Sequence, residues 1–173
     1  MLSESRTAPA VARRVTTLRA GGVLVAVIGL DQLTKHTLGT WIAPGQMRHV
    51  IPGVTLVYER NTGVSFSFLS GDGALVYVVI GIALVALSAY LLARPASGLL
   101  WLPTGMVIGG AVSNLIDRIA NGSVIDFIKL PHWPAFNVAD TAITFGVILL
   151  ALVVERAARP DGETDGAHAD ARA

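Results

Sequence analysis

Charged residues gather in short clusters along this chain, and the uncharged intervals between them set its architecture. Between Asp72 and Arg94 lie 21 uncharged residues. At about 1.5 Å per helical residue, the stretch 75–92 can cross a hydrocarbon core of about 30 Å. A breaker sequence, Arg94-Pro95-Ala96-Ser97-Gly98, is followed by apolar residues 99–116, a further span joined to the first by a tight turn. A third apolar run, 136–154, is interrupted about one turn inside by Asp140. Nearer the start, residues 20–30 are strongly apolar but stop at Asp31-Gln32-Leu33-Thr34-Lys35. Such a short run also suits a signal peptide, but no small-x-small cleavage motif follows it, which favours a retained helix with a polar outer third.

These patterns predict an all-α membrane protein with four transmembrane helices, at about 15–38, 74–93, 99–116 and 136–154. Residues 15–156 then form a single membrane-embedded domain, with disordered cytoplasmic segments at 1–14 and 157–173. Between the first two spans, Val54-Thr55-Leu56-Val57-Tyr58, the turn-like Arg60-Asn61-Thr62-Gly63 and Val64-Ser65-Phe66-Ser67-Phe68 predict a small extracytoplasmic β-hairpin or cradle. With both termini cytoplasmic, eight of the thirteen basic residues fall on the inner side, as the positive-inside rule favours. Trp41 and Trp133 then lie near the outer interface and Trp101 near the inner one.

Composition narrows the function. Residues are 53% hydrophobic and 14% charged, which suits a bilayer. A net charge of +1 leaves no basic surface for nucleic acid. The absence of cysteine excludes disulfides, thiol nucleophiles and thiolate metal sites. With the predicted topology, the polar residues that break the apolar pattern collect on the outer side. Asp31 and Lys35 close the first helix; Asn61 lies in the outer loop; Asn114, Asp117 and Arg118 close the third helix; Asp126 follows; Asn137 and Asp140 open the fourth. Asn114, Asp117 and Arg118 share one helix face at i, i+3 and i+4, as do Asn137 and Asp140 at i and i+3. Asp126 lies fourteen positions before Asp140, a separation the chain can fold back across. Two carboxylates meeting in a low-dielectric place share a proton, the basis of aspartic hydrolysis, which requires no metal or cofactor.

Five blocks carry a family likeness. In order, they are Asp31-Gln32-Leu33-Thr34-Lys35; Asn61-Thr62-Gly63-Val64-Ser65-Phe66-Ser67; Gly109-Gly110-Ala111-Val112-Ser113-Asn114-Leu115-Ile116-Asp117-Arg118; Val124-Ile125-Asp126-Phe127-Ile128; and Phe136-Asn137-Val138-Ala139-Asp140. Together they resemble the motifs of lipoprotein signal peptidase, or signal peptidase II, a bacterial inner-membrane aspartic endopeptidase. The resemblance implies cleavage on the amino side of a diacylglyceryl-modified cysteine in prolipoproteins, with Asp126 and Asp140 as the catalytic pair. It places Asn61, Asn114, Asp117, Arg118, Asn137 and Ala139 at positions that line or brace the site, and Asp31 and Lys35 at the polar end of the first helix. It also implies membrane lipids as partners and sensitivity to the cyclic peptide globomycin. Ser113 and Ser65 depart from the Gly and Ala common at those family positions.

Other readings of the same residues are open on the sequence alone. Asp126 and Asp140 could be interfacial carboxylates that cap helices or bind Arg118 and Lys129, while Arg118 could bind phosphate headgroups or Asp117. Asp31 and Lys35 suit a structural ion pair, and Asn61 a turn residue. A serine hydrolase could pair Ser65, Ser67 or Ser113 with Lys35 or a histidine, but Ser65 and Ser67 lie in an alternating strand pattern without a nucleophile elbow. A proton-coupled carrier needs a polar path from both faces, which the inner halves of these helices do not offer.

Overall fold

The structure is a computed structural model that describes residues 7–62 and 98–158, with positions 82, 86 and 89 helical between them. The rest of the predicted second span, the predicted strand 64–68, and the tail beyond 158 lie outside the described residues. Six elements follow in order: α1 (Thr7–Trp41), β1 (Met47–Ile51), β2 (Val54–Asn61), α2 (Trp101–Asn121), β3 (Val124–Lys129) and α3 (Val138–Ala158).

Helix α1 begins at Thr7, eight residues before the predicted start, so the disorder expected for residues 7–14 is corrected to helix. Pro9 falls in the first turn, where its missing N–H costs no helical bond. The Thr16 and Thr17 hydroxyls donate back to the Ala12 and Arg13 carbonyls at 3.0 Å. Helix α2 runs five residues beyond the predicted 116, carrying Asp117 and Arg118 on its last turns. Gly122 stops it: at φ 68° this residue takes the left-handed conformation, and its N–H donates to the Arg118 carbonyl at 2.9 Å.

The strands form an antiparallel three-stranded sheet in the order β1-β2-β3. Val54-Thr55-Leu56-Val57-Tyr58 is a strand as predicted, but Arg60 and Asn61 extend it rather than turning. Its hairpin partner precedes it: Ile51 pairs with Val54 across Pro52-Gly53, and Gly53 has φ 83°. Proline followed by a left-handed glycine suits a type II turn, a stronger local signal than Arg60-Asn61-Thr62-Gly63. On its other edge β2 pairs with β3, placing Asn61 opposite Val124 and Glu59 opposite Asp126. Ile42 is buried below the end of α1, and Gly39 lets the helix approach the Tyr58 ring, where an added Cβ would lie 3.3 Å from Cε2.

Glycine lets the helices come close. A Cβ on Gly105 would meet the Ala20 carbonyl oxygen of α1 at 2.6 Å, and one on Gly110 would meet the Ala139 carbonyl oxygen of α3 at 2.5 Å. At the end of the bundle away from the sheet, Ala20 and Leu100 pack with Trp101, Leu150 and Val153, and the Arg19 guanidinium lies 5.9 Å from the Trp101 ring centre. Among the described residues one helix, spanning Val138–Arg156, is both long and apolar enough to cross a membrane. Its Phe145, Val147, Ile148 and Leu152 are exposed, as are Val25, Leu30 and Leu33 on α1. This is the surface that a lipid solvent, rather than water, accommodates.

Candidate active site

The loop after β3 brings Asp126 to Asp140. Phe136 bridges back to Ile128 antiparallel, each N–H donating to the other's carbonyl at 2.9 Å, and the Phe127 N–H also donates to the Phe136 carbonyl at 3.1 Å. That register lays Asn137 beside the strand that carries Asp126. Asn137 then caps α3: its Oδ1 accepts the Asp140 N–H at 2.8 Å, while Asp140 Oδ2 accepts the Asn137 N–H at 3.3 Å. This reciprocal pair is a capping box in which an aspartate fills the third helical position. The remaining end of Asn137 reaches the other acid, its Nδ2 donating to Asp126 Oδ1 at 2.8 Å. One asparagine therefore touches both carboxylates.

Each acid has a further amide donor. Asn61 Nδ2 donates to Asp126 Oδ2 at 3.0 Å from the end of β2, and Asn114 Nδ2 donates to Asp140 Oδ1 at 2.8 Å from α2. Below them lies an ionic cluster. Lys35 is 3% exposed and its Nζ meets Asp31 Oδ2 and Asp117 Oδ2, each at 2.6 Å. A third donation, to Asn114 Oδ1 at 3.2 Å, completes the ammonium's three donors. Both carboxylates reach past the lysine toward the acid-bearing segments. Asp31 Oδ1 accepts the Ala139 N–H at 2.9 Å, next to Asp140, and Asp117 Oδ2 accepts the Ile125 N–H at 3.4 Å, next to Asp126.

Asp126 is 2% exposed, between the buried Val124 and Phe127. Burial pushes its carboxyl up from 3.8 to about 6, and the negative charge of Asp140 adds to the rise. The amides of Asn61 and Asn137 and the more distant Lys35 charge pull the other way. The result is a carboxyl that exchanges its proton near pH 6 beside a second carboxyl fixed at a helix start, an arrangement able to hold, give and accept a proton.

The structure joins nine of the ten residues singled out from sequence in this one network: Asp31, Lys35, Asn61, Asn114, Asp117, Asp126, Asn137, Ala139 and Asp140. Arg118 sits at its margin, half-buried, with Nη1 3.4 Å from the Asn114 carbonyl oxygen. Asp31 and Lys35 do form the expected ion pair, but Asp117 shares it. Asn61 is a strand residue aimed at Asp126, not a turn residue. Sequence gives Gln32 no site role and Ser113 only a place in the rival serine-hydrolase reading, yet both are part of the ionic cluster. Their positions offered a signal: Gln32 adjoins Asp31, and Ser113 stands one helical turn before Asp117 on the same face.

Apolar-surfaced helices and two linked carboxylates, one on a strand and one at a helix start, define a membrane protein with the equipment of acid–base hydrolysis. Comparison with known proteins is more specific. The family model for signal peptidase (SPase) II matches residues 23–155, and the chain belongs to that family. It is 39% identical over 138 residues to the lipoprotein signal peptidase of Syntrophomonas wolfei, covering 79% of this chain and 93% of that one. It is 40% identical over 137 residues to that of Paraburkholderia phymatum, covering 75% and 82%. Among solved structures, a bacterial membrane enzyme determined in meso at 1.9 Å resolution matches with TM-score 0.73 and 30% identity, over 78% of this chain and 91% of that one. A second, at 2.3 Å resolution, matches with TM-score 0.71 and 31% identity, over 83% and 93%.

Proposed function

We propose that this chain is an intramembrane aspartic endopeptidase that removes signal peptides from prolipoproteins, cutting on the amino side of the diacylglyceryl-modified cysteine, with Asp126 and Asp140 as its catalytic pair. Membership in the signal peptidase II family supports the reaction. The observation that carries the residue assignment is the single asparagine, Asn137, hydrogen-bonded to both carboxylates.

Asp126, held up to about 6, is the proton-carrying member, and Asp140 is the base. Asp140 takes a proton from water as the water oxygen attacks the scissile carbonyl carbon, while the Asp126 hydroxyl donates to the carbonyl oxygen. Collapse of the tetrahedral intermediate breaks the C–N bond, and the proton passes to the departing cysteine nitrogen. The signal peptide leaves with a new carboxyl group, and the lipoprotein with a free amino group. Asn61 and Asn114 hold the two acids in place, and Arg118 lies at the margin, suited to a lipid or peptide acceptor group. The exposed apolar flank of α3 begins at Phe145, five residues beyond Asp140, so the substrate's acyl chains can stay in lipid while its peptide reaches the acids. In this reading four spans place the site at the outer face of the bacterial inner membrane with both termini cytoplasmic, and globomycin occupies the same site.

Separate Asp126→Asn and Asp140→Asn variants of the full chain test the assignment. Each is expected to lower cleavage of a lipid-modified precursor peptide by at least about a hundredfold with folding intact. Near-normal cleavage by either folded variant would refute the pairing.

A further inference from the structure

The side chain of Ser113 is fully buried between α1 and α2. Its hydroxyl donates to Asp31 Oδ2 at 2.7 Å and accepts from Gln32 Nε2 at 3.0 Å. The same Gln32 amide donates to Asp117 Oδ1 at 2.8 Å. Asp31 Oδ2 is also the oxygen that Lys35 holds, which leaves Oδ1 to accept the Ala139 N–H at 2.9 Å. A carboxylate gripped at one oxygen by one ammonium can swing its second oxygen about the contact. A second donor on that oxygen, arriving from another helix, fixes the plane of the group.

We propose that Ser113 is a positioning residue for Asp140: its hydroxyl fixes Asp31, whose other oxygen holds the Ala139 N–H and with it the first turn of α3. The role rests on the reading of Asp126 and Asp140 as the catalytic pair. Ser113 and Asp31 are each 0% exposed, so neither touches substrate. Their effect therefore falls on kcat and leaves KM in place.

The test uses the full-length enzyme in lipid, with steady-state cleavage of a synthetic diacylglyceryl precursor peptide and hydrogen exchange at the Ala139 amide. Ser113→Ala is expected to lower kcat about tenfold with KM within about twofold, and to speed exchange at Ala139. Ser113→Thr restores the hydroxyl and is expected to return kcat to within about threefold of the parent. An unchanged kcat in the alanine variant, a loss confined to KM, or a threonine variant as slow as the alanine one would overturn the proposal. Fast Ala139 exchange in the unsubstituted enzyme would overturn it without any variant. Asp140→Asn separates the two claims. If that variant stays active, the catalytic pair is wrong; if it is inactive while Ser113→Ala is normal, only the role of Ser113 falls.

Discussion

Replacing Gly110 by alanine probes how finely α2 and α3 are set against each other. The added Cβ would lie 2.5 Å from the Ala139 carbonyl oxygen and 2.8 Å from Ile143 Cγ1. Ordinary contact begins near 3.4 Å, so the start of α3 must retreat by about 0.9 Å, and the obstacle is backbone that cannot turn aside. Asp140 follows Ala139 directly and moves with it. A displacement of about 1 Å in a reacting group costs roughly a hundredfold in rate, while overpacking of this kind costs about 1–3 kcal/mol of stability. Gly105→Ala is the matched control: its Cβ would meet the Ala20 carbonyl oxygen at 2.6 Å, but nine residues before Asn114, about 13 Å away along α2. Thermal melts in lipid and kcat for precursor cleavage separate the two effects. Similar destabilisation of both variants with a kcat loss peculiar to Gly110→Ala is the expected outcome; full activity in Gly110→Ala would show that the packing does not set the position of Asp140.

Further outcomes follow from the electrostatics. Lys35→Met leaves Asp31 and Asp117 buried without their shared cation, a loss of about 3–5 kcal/mol that denaturant unfolding in lipid would register; a variant as stable as the parent would contradict the cluster. If Asp126 carries the proton, kcat/KM falls as pH rises through about 6, and Asn61→Ala, which removes a donor to the ionised form, moves that limb upward. The same raised carboxyl contributes stability fully present below about 3.8 and lost as pH rises through about 6, since the folded state binds the extra proton in that interval. Cleavage by two carboxylates is also expected to persist in a chelator, and loss of activity reversed by added metal would argue for a different chemistry.

What could be read from sequence was mostly local. Uncharged runs locate α2 and α3, and the spacing of Asn137 and Asp140 puts them on one helix face, which the structure turns into a capping box. Pro52-Gly53 was a usable turn signal, but it competed with Asn61-Thr62-Gly63 in a segment where either side of Val54–Asn61 could supply a partner. Alternation identifies a strand without saying which strand it joins; β3, which completes the sheet, comes more than sixty residues later. The ionic cluster was hidden for the same reason. Asp31 and Lys35 are neighbours on one helix, but the acceptance of the Ala139 N–H by Asp31 spans 108 positions and depends on helix packing through Gly110 and Gly105. A buried network of this kind is weak grounds for stability, because desolvation consumes much of what the ion pairs supply. Its value here is placement: two carboxylates on one lysine reach the backbone beside each of the two acids.

Asn137 performs two tasks that a single substitution can separate. Its Oδ1 caps α3 through the Asp140 N–H, and its Nδ2 donates to Asp126. Aspartate caps a helix as well as asparagine does, so Asn137→Asp keeps the first task and the start of α3 with it. The second task is reversed, because the amide donor 2.8 Å from Asp126 Oδ1 becomes a carboxylate oxygen. Asp126 would lose a bond that favours its ionised form and gain a negative neighbour, and both changes drive its carboxyl further above 6. The pair would then hold its proton too tightly to pass it on. Asn137 is fully buried and its Nδ2 also donates to Asn114 Oδ1 and the Ile125 carbonyl, so the variant is expected to lose about 3–5 kcal/mol of stability through the uncompensated charge while cleaving precursor at least about a hundredfold more slowly. Asn137→Ala should lose both stability, by about 1 kcal/mol, and activity. An active Asn137→Asp enzyme would mean that the link between the two acids through one amide is incidental to the chemistry.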